Sequence, residues 1–359
     1  MAHRTSQVLI LTINPGSTSS KIAIFRGRKQ VAQQTLLHSA ADLQKFETIW
    51  QQFDIRAQAI QNFLKEEHYL GKEFTGVVGR GGLLKPLRSG TYLVNESMIL
   101  DAKAGVQGQH IANLGCALAD HFARLLNCKA YVVDPVSVDE FEPIARFSGH
   151  PLIERRTLSH ALNIRAATFS IAGVLGIDAL HSNMVVAHLG GGISIAAVKN
   201  SRIIDVNDAS SDGPFSPNRT GGLPLQPFID LCFSSKYSIR EIRNLVAGNG
   251  GLFAYLGTTD VPEIEQRIDN GDELSRHVFA AMAYQISKEI GAMAAVLGGK
   301  LDAIVFTGGL SHSQRLIDLV RSHIQFLAPV HVLAGEMEME AMADGLLRVL
   351  EGIESLQVY

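Results

Sequence analysis

The densest set of chemistry-bearing side chains lies near the start of the chain, in Asn14-Pro15-Gly16-Ser17-Thr18-Ser19-Ser20-Lys21. One turn holds an amide, four hydroxyls and an ammonium. Gly16 lets the backbone approach a ligand closely. The N–H and hydroxyl groups can donate to phosphate oxygens, and Lys21 supplies charge. The same residues would also make an ordinary hairpin turn with exposed serines, so this turn gains weight only alongside others. A second, His188-Leu189-Gly190-Gly191-Gly192-Ile193-Ser194, sets three glycines between apolar runs. Such a sequence is entropically costly and fits a polyanion lying against backbone, though a sharp hairpin is the plainer alternative. A third, Phe306-Thr307-Gly308-Gly309-Leu310-Ser311, precedes a helical pattern, where N–H groups can cradle a nucleotide. GxxxxGK[ST], and GxGxxG opening a helix, are both absent, which counts against P-loop kinases and Rossmann dehydrogenases.

Two arginines sit in glycine- and proline-rich loops, Arg80 in Gly79-Arg80-Gly81-Gly82 and Arg219 in PFSPNRTGG at 214–222. The glycines are expected to leave each arginine free to reach a ligand. A planar guanidinium suits a phosphoryl group whose charge is spread over equatorial oxygens, and a surface ion pair is the alternative for either one alone. Asp134 closes a buried strand, where a carboxylate can hold Mg²⁺ directly or through water. Glu336, Glu338 and Glu340 stand at a helix start, where dipole compensation alone would explain them. His110, His160 and His188 are isolated, with no HExxH pair for zinc and no GxSxG for a serine hydrolase.

The elements that would position these groups alternate between strand and helix, which predicts an α/β fold. Strands are expected at 8–13, 22–25, 76–79 and 130–133, then at 184–189, 193–198, 202–206, 303–307 and 330–333. Helices are expected at 57–66, 112–126, 273–297, 311–326 and 337–350. Ser238 with Glu241 reads as a capping box. Both halves open with strand, Gly-containing turn, strand, polar turn and strand, which reads as a structural repeat. A boundary is placed near residues 145–155, giving domains 1–150 and 151–359, with the last helix able to pack back on the N-terminal domain.

The 359 residues, 46% hydrophobic and 19% charged, suffice for two domains with cores of their own. A formal net charge of −3 offers no basic field for nucleic acid or an anionic membrane surface. Cys116, Cys128 and Cys232 form no CxxC pair and read as free thiols of a reducing compartment. The apolar run before Asn14 is too short for a leader core or a membrane helix. A cytoplasmic protein is expected.

Taken in order, INPGSTSSK at 13–21, GRGGLLKP at 79–86, DPVSVDEF at 134–141, SHALN at 159–163, HLGGGIS at 188–194, DGPFSPNRTGG at 212–222 and FTGGLS at 306–311 resemble the acetokinase family. That family belongs to the acetate and sugar kinase/Hsp70/actin superfamily. The resemblance implies two RNase H-like (actin-like ATPase) domains with an interdomain active-site cleft. It implies Mg²⁺-dependent, reversible phosphoryl transfer from ATP to a short-chain carboxylate, giving acyl phosphate and ADP. Carried over residue by residue, Asn14, Gly16, Ser17, Ser19 and Lys21 would contact phosphate, with Asn14 and Ser17 also near the metal. Arg80, Arg219 and Asp134 would be catalytic, and His110 and His188 would lie near substrate and phosphate. Gly190, Gly191 and Gly192 would line the phosphates, Gly308 and Gly309 the adenosine. Glu340 would be the metal-linked acid, in a register the EMEME run leaves open. Where acetate kinases carry a transition-state His, this chain has Arg156, which resembles the butyrate-specific branch and makes Arg156 a candidate substitute donor. The resemblance also implies a homo-oligomer, dimer or higher. Three alternatives stay open: the same chemistry on acetate, propionate or a branched acid, a superfamily ATPase acting as a sensor, and a sugar kinase with Asp134 as base.

Overall fold

A computed structural model of the chain describes residues 7–359; the first six residues of the stretch read for a leader lie outside them. The chain forms two compact units. One runs up to Asp139 and takes back Met337–Tyr359, and the other is Glu140–Glu336.

The first unit is built on β1 (Leu9–Pro15), β2 (Ser19–Arg26), β3 (Lys29–Leu37), β4 (Gly76–Arg80), β5 (Thr91–Leu93) and β6 (Lys129–Val133). With the terminal strand Gln357–Val358 at one edge, the order is Gln357–Val358, β5, β6, β4, β1, β2, β3. β1 pairs antiparallel with β2 and parallel with β4, which pairs parallel with β6. The central strands β1, β4 and β6 are mostly apolar and buried because both faces are covered. The helices Phe53–Glu66 and Leu114–Leu125 bury Ile60, Phe63, Leu118 and Phe122 against Leu11, Ile13, Ile24 and Val77. The helix Glu338–Leu350 meets the opposite face. Thr91 Oγ1 donates to the Gly345 carbonyl at 2.9 Å. A Cβ on Gly345 would lie 2.3 Å from Val133 Cγ1, so only glycine lets this helix touch β6 so closely. The division therefore falls between Asp139 and Glu140, ahead of the expected 145–155, and the last helix belongs to the first unit.

The second unit begins with a small hairpin, β7 (Phe147–His150) and β8 (Ile153–Glu154). Its main sheet holds β9 (Asn183–Leu189), β10 (Ile193–Lys199), β11 (Arg202–Val206), β12 (Ala303–Gly308) and β13 (Val330–Ala334), in the order β11, β10, β9, β12, β13. β9 pairs antiparallel with β10 and parallel with β12, as β1 pairs with β2 and β4. The order β11-β10-β9-β12-β13 thus repeats β3-β2-β1-β4-β6, the repeat expected from sequence. The long helix Glu273–Val296 covers one face, burying Phe279, Met282, Ile286 and Ile290 against Ile195, Ile304 and Phe306.

Local chemistry accounts for most boundaries. Ser238 Oγ accepts the Glu241 N–H while Glu241 accepts the Ser238 N–H, forming the expected capping box. The helix expected over 311–326 divides into a 3₁₀ turn, Gly309–His312, and the helix Gln314–Ile324. Ser313 Oγ accepts from Leu316 N at 3.0 Å and restarts the helix as its N-cap. Among the described residues no helix is long and apolar enough to cross a membrane.

Candidate active site

The first phosphate-type turn is the β1–β2 connection. Gly16 N–H donates to the Ser19 carbonyl at 2.8 Å, closing it. Ser17 and Thr18 are exposed, Ser19 is half-buried and Ser20 is buried. Asn14 and Lys21 face one another across the ladder, one pair before the last, Pro15 with Ser20. The structure therefore gathers Asn14, Gly16, Ser17, Ser19 and Lys21 at one end of the sheet.

Arg80 ends β4, two strands from β2, and is only 5% exposed. Its neighbouring glycines do not loosen it. A Cβ on Gly79 would sit 2.1 Å from the Gly115 carbonyl oxygen, one on Gly81 2.3 Å from Pro135 Cβ, and one on Gly82 2.2 Å from Asn113 Oδ1. The glycines admit tight neighbours and make the arginine's backbone rigid, correcting the expectation of a free arm. Arg80 Nε lies 3.6 Å from Glu338 Oε1, and Glu338 Oε2 accepts from Asn14 Nδ2. Arg80 Nη1 is buried and finds no acceptor among the described residues. A buried donor of this kind normally has a partner, and an anion oxygen fits it.

The acid in this group is Glu338. Glu340, expected there, is exposed. Two steps along a helix turn a side chain by about 200°, so the two glutamates lie on different faces. Glu338 is thus the glutamate of the EMEME run that meets Asn14 and Arg80.

His110 caps a short 3₁₀ turn, its Nδ1 accepting from Ala112 N at 3.2 Å. Desolvation of the ring and the Arg80 charge hold the imidazole below its ordinary value. Both features favour the neutral ring with its proton on Nε2. Asp134 follows β6 at φ 39°, fully buried. Its Oδ1 accepts from Gly90 N at 2.7 Å, its own N–H donates back to Gly90 O, and Arg348 Nη2 lies 3.8 Å away. An Asp enclosed in this way positions backbone. It has no exposed surface, so the structure offers no support for the catalytic role expected of it.

In the second unit, His188 is buried on β9 and its ring stacks on His160, centroids 4.2 Å apart. His160 Nδ1 lies 2.9 Å from Ser194 Oγ. The β9–β10 turn holds Gly190, Gly191 and Gly192, with Gly190 N donating to Gly192 O. Arg219 lies over it: a Cβ on Gly192 would come within 2.4 Å of Arg219 Nη1. That nitrogen donates to the Ala209 carbonyl at 2.8 Å, and desolvation, opposed by the Asp208 charge, holds the guanidinium below its ordinary pKa. Asn218, overlooked in the sequence although it adjoins Arg219, keeps a buried Oδ1 without a donor among the described residues. Arg156 is largely exposed, 3.3 Å from Asp208. It is thus engaged by an acid that sequence reasoning also missed, because its partner lies 52 residues away. The third turn holds Gly308 at φ 90°, where a Cβ would lie 2.4 Å from Leu189 O. Gly308 therefore locks β12 to the end of β9, and Gly309 opens the 3₁₀ turn.

The acetokinase family profile matches residues 155–339. The chain is 45% identical over 350 residues to the probable butyrate kinase 2 of Caldanaerobacter subterraneus subsp. tengcongensis, covering 98% of this chain and 99% of that one. The chain belongs to the acetokinase family. Butyrate kinase 2 of Clostridium acetobutylicum is also 45% identical, over 351 residues, with the same coverage. The crystal structure of Porphyromonas gingivalis acetate kinase superposes with a TM-score of 0.77 at 20% identity, covering 95% of this chain and 99% of that one. At that identity the likeness speaks to fold, and the fold is the two-domain actin-like ATPase fold. Membership makes the protein a carboxylate kinase that uses ATP and ADP.

Proposed function

We propose that the protein transfers the γ-phosphoryl group of ATP to the carboxylate of a short-chain fatty acid, butanoate first, giving butanoyl phosphate and ADP. The observation that carries this reading is the buried Arg80 guanidinium, tied to Glu338 and left with a donor that awaits an anion. Identity of 45% over nearly the whole length to two butyrate kinases supports butanoate as the acid.

A carboxylic acid is ionised at neutral pH, so the nucleophile needs no general base. Catalysis then reduces to alignment and charge stabilisation. Arg80 of the first unit supplies a guanidinium for the equatorial oxygens of the transferred group, which moves directly from ATP to the carboxylate oxygen, and Arg219 is the corresponding candidate of the second unit. The β1–β2 turn, with Ser17, Ser19 and Lys21, and the β9–β10 glycines hold the phosphates. His110, neutral with its proton on Nε2, donates a hydrogen bond. Gly308 and Gly309 face the adenosine. Asp134 is a positioning residue that fixes Gly90.

Mg²⁺ fits the donors present. No cage of three or more His, Cys, Asp and Glu gathers among the described residues, whereas Mg²⁺ travelling with a nucleotide needs only one or two carboxylates and water. Glu338, with Asn14 beside it, would hold the ion in the place assigned to Glu340, and Ser17 is the hydroxyl the resemblance assigns to it. The ion would neutralise phosphate charge.

ATP-dependent acyl-hydroxamate formation with acetate, propionate, butyrate, isobutyrate and valerate, with and without Mg²⁺, tests the proposal. A Mg²⁺-dependent signal peaking at four carbons is expected. Folded protein that binds ATP yet makes no hydroxamate from any acid would overturn it.

A further inference from the structure

Behind the β1–β2 turn lies a cation that none of the motifs contains. Arg56 stands on the helix Phe53–Glu66 and is 0% exposed. No carboxylate lies within ion-pair distance of it among the described residues. Its partners are instead the turn itself. Nη1 donates to the Ser19 carbonyl at 2.8 Å and to Ser20 Oγ at 3.1 Å, and Nη2 donates to the Ser17 carbonyl at 3.2 Å. Gln52 Oε1 accepts from Nη2 at 2.9 Å and fixes the plane of the fork. Between the two gripped carbonyls, the Thr18 carbonyl accepts from His38 N at 2.9 Å. The His38 ring in turn sits 2.9 Å from Ser20 Oγ.

Three consecutive carbonyls, those of Ser17, Thr18 and Ser19, are therefore drawn to partners within the protein. In a planar trans peptide the N–H points opposite to the C=O. The Thr18 N–H therefore points away from Arg56 and the Ser19 N–H away from the His38 N–H. Withdrawing the carbonyls also removes the partial negative charges that would repel an incoming phosphate. A buried arginine lacking an acid partner is costly to desolvate; burial pushes its pKa down to about 10, which leaves it charged at neutral pH. Its charge thus stands uncompensated behind a surface of donors.

We propose that Arg56 is a positioning residue for phosphoryl transfer: it holds the 16–20 turn in the donor-out conformation that receives the transferred phosphate, without touching the substrate. This rests on the carboxylate-kinase reading above. A Lys at the same place could reach one carbonyl but not two at once, because the grip uses the fork of the guanidinium.

The test compares wild type, Arg56→Gln, Arg56→Lys and Ser20→Ala in butanoyl phosphate formation. Rates are taken per folded molecule, with Kd for ATP measured separately. Wild-type activity is the control, since its absence would sink the kinase reading and not this one. With active wild type, R56Q is expected to lose at least about tenfold in kcat while KM for butanoate and Kd for ATP change by less than about twofold. R56K should recover part of the loss. S20A, which removes only one gripped hydroxyl, should lose about threefold. A purely structural role would lower the folded fraction and leave kcat per folded molecule intact, and that result overturns the proposal. Should R56Q fail to fold, S20A decides: unchanged kcat rejects the role of the grip.

Discussion

The β1–β2 turn of the first unit and the β9–β10 turn of the second hold equivalent places in sheets of the same strand order, yet they are made of different residues. In the first, hydroxyls supply donors and a buried arginine, Arg56, grips the carbonyls from behind. In the second, three glycines strip the turn of side chains, and Arg219 lies across Gly192. One turn has its cation buried inside the fold against its carbonyls, and the other has it beside the backbone of Gly192, where the proposed mechanism makes it a ligand group. Duplicated topology fixes where an anion-binding turn can sit. It leaves open which atoms do the binding.

That contrast can be broken by ranking substitutions. On the proposed mechanism Arg80→Ala and Arg219→Ala remove groups that stabilise the transferred charge, and each should lower kcat by about 10²–10³-fold with folding intact. A smaller loss for Arg219→Ala than for Arg56→Gln would reverse the assignment of front and rear cations. Next in size, Glu338→Gln should cost about a hundredfold in kcat and raise the Mg²⁺ requirement, while Glu340→Gln should stay within about twofold. Titrating Mg²⁺ against rate for both variants checks this. Equal effects would mean that the acid contacting Asn14 and Arg80 is not the metal-linked one.

The glycines sharpen the comparison further. Gly192→Ala places a Cβ 2.4 Å from Arg219 Nη1, the far end of a flexible side chain. The guanidinium should move at little cost in stability, and kcat should fall at least about tenfold, since misplacement by about 1 Å is expensive. Gly16→Ala meets Ser19 Oγ only at 3.2 Å, and its loss should stay below about threefold. Steady-state rates beside melting curves separate the two.

The smallest effect concerns the acid cluster near Arg155. Burial, opposed by Arg155 and reinforced by Asp208 and Asp205, pushes the Asp212 carboxyl up to about 6. The folded protein then keeps a proton that the unfolded chain releases between about pH 4 and pH 6, so stability from this group is lost as pH rises through that window. Asp212→Asn should melt about one to three degrees higher than wild type at pH 7.5, with the gap closing near pH 4. A constant difference across pH would show that the gain is not one of protonation.

Much of this arrangement is legible in the sequence where local rules suffice. The strands β9, β10 and β11 are apolar runs cut by Gly190–Gly192 and by Lys199-Asn200-Ser201, and their expected limits fall within a residue of those observed. The capping box at Ser238 is equally local. Elements with weak signals are not legible: Thr91–Leu93 is three residues long, and Glu96–Ala104 mixes buried Met98 and Ala102 with exposed Leu100. Site residues escape when their partners are distant. Arg56 reads as an ordinary polar position on a helix, because the carbonyls it grips lie 37 and 39 residues earlier. The glycines around Arg80 look like flexibility, yet they are close packing against Gly115, Pro135 and Asn113, which no local pattern announces.

The central claim is that the phosphoryl group passes from ATP to a carboxylate. Phosphorus NMR of the protein with Mg²⁺-ATP and butanoate tests it most directly. An acyl phosphate resonance growing in step with ADP is expected, with ATP regenerated when butanoyl phosphate and ADP are supplied instead. ADP accompanied only by inorganic phosphate, with no acyl phosphate in either direction, would contradict it.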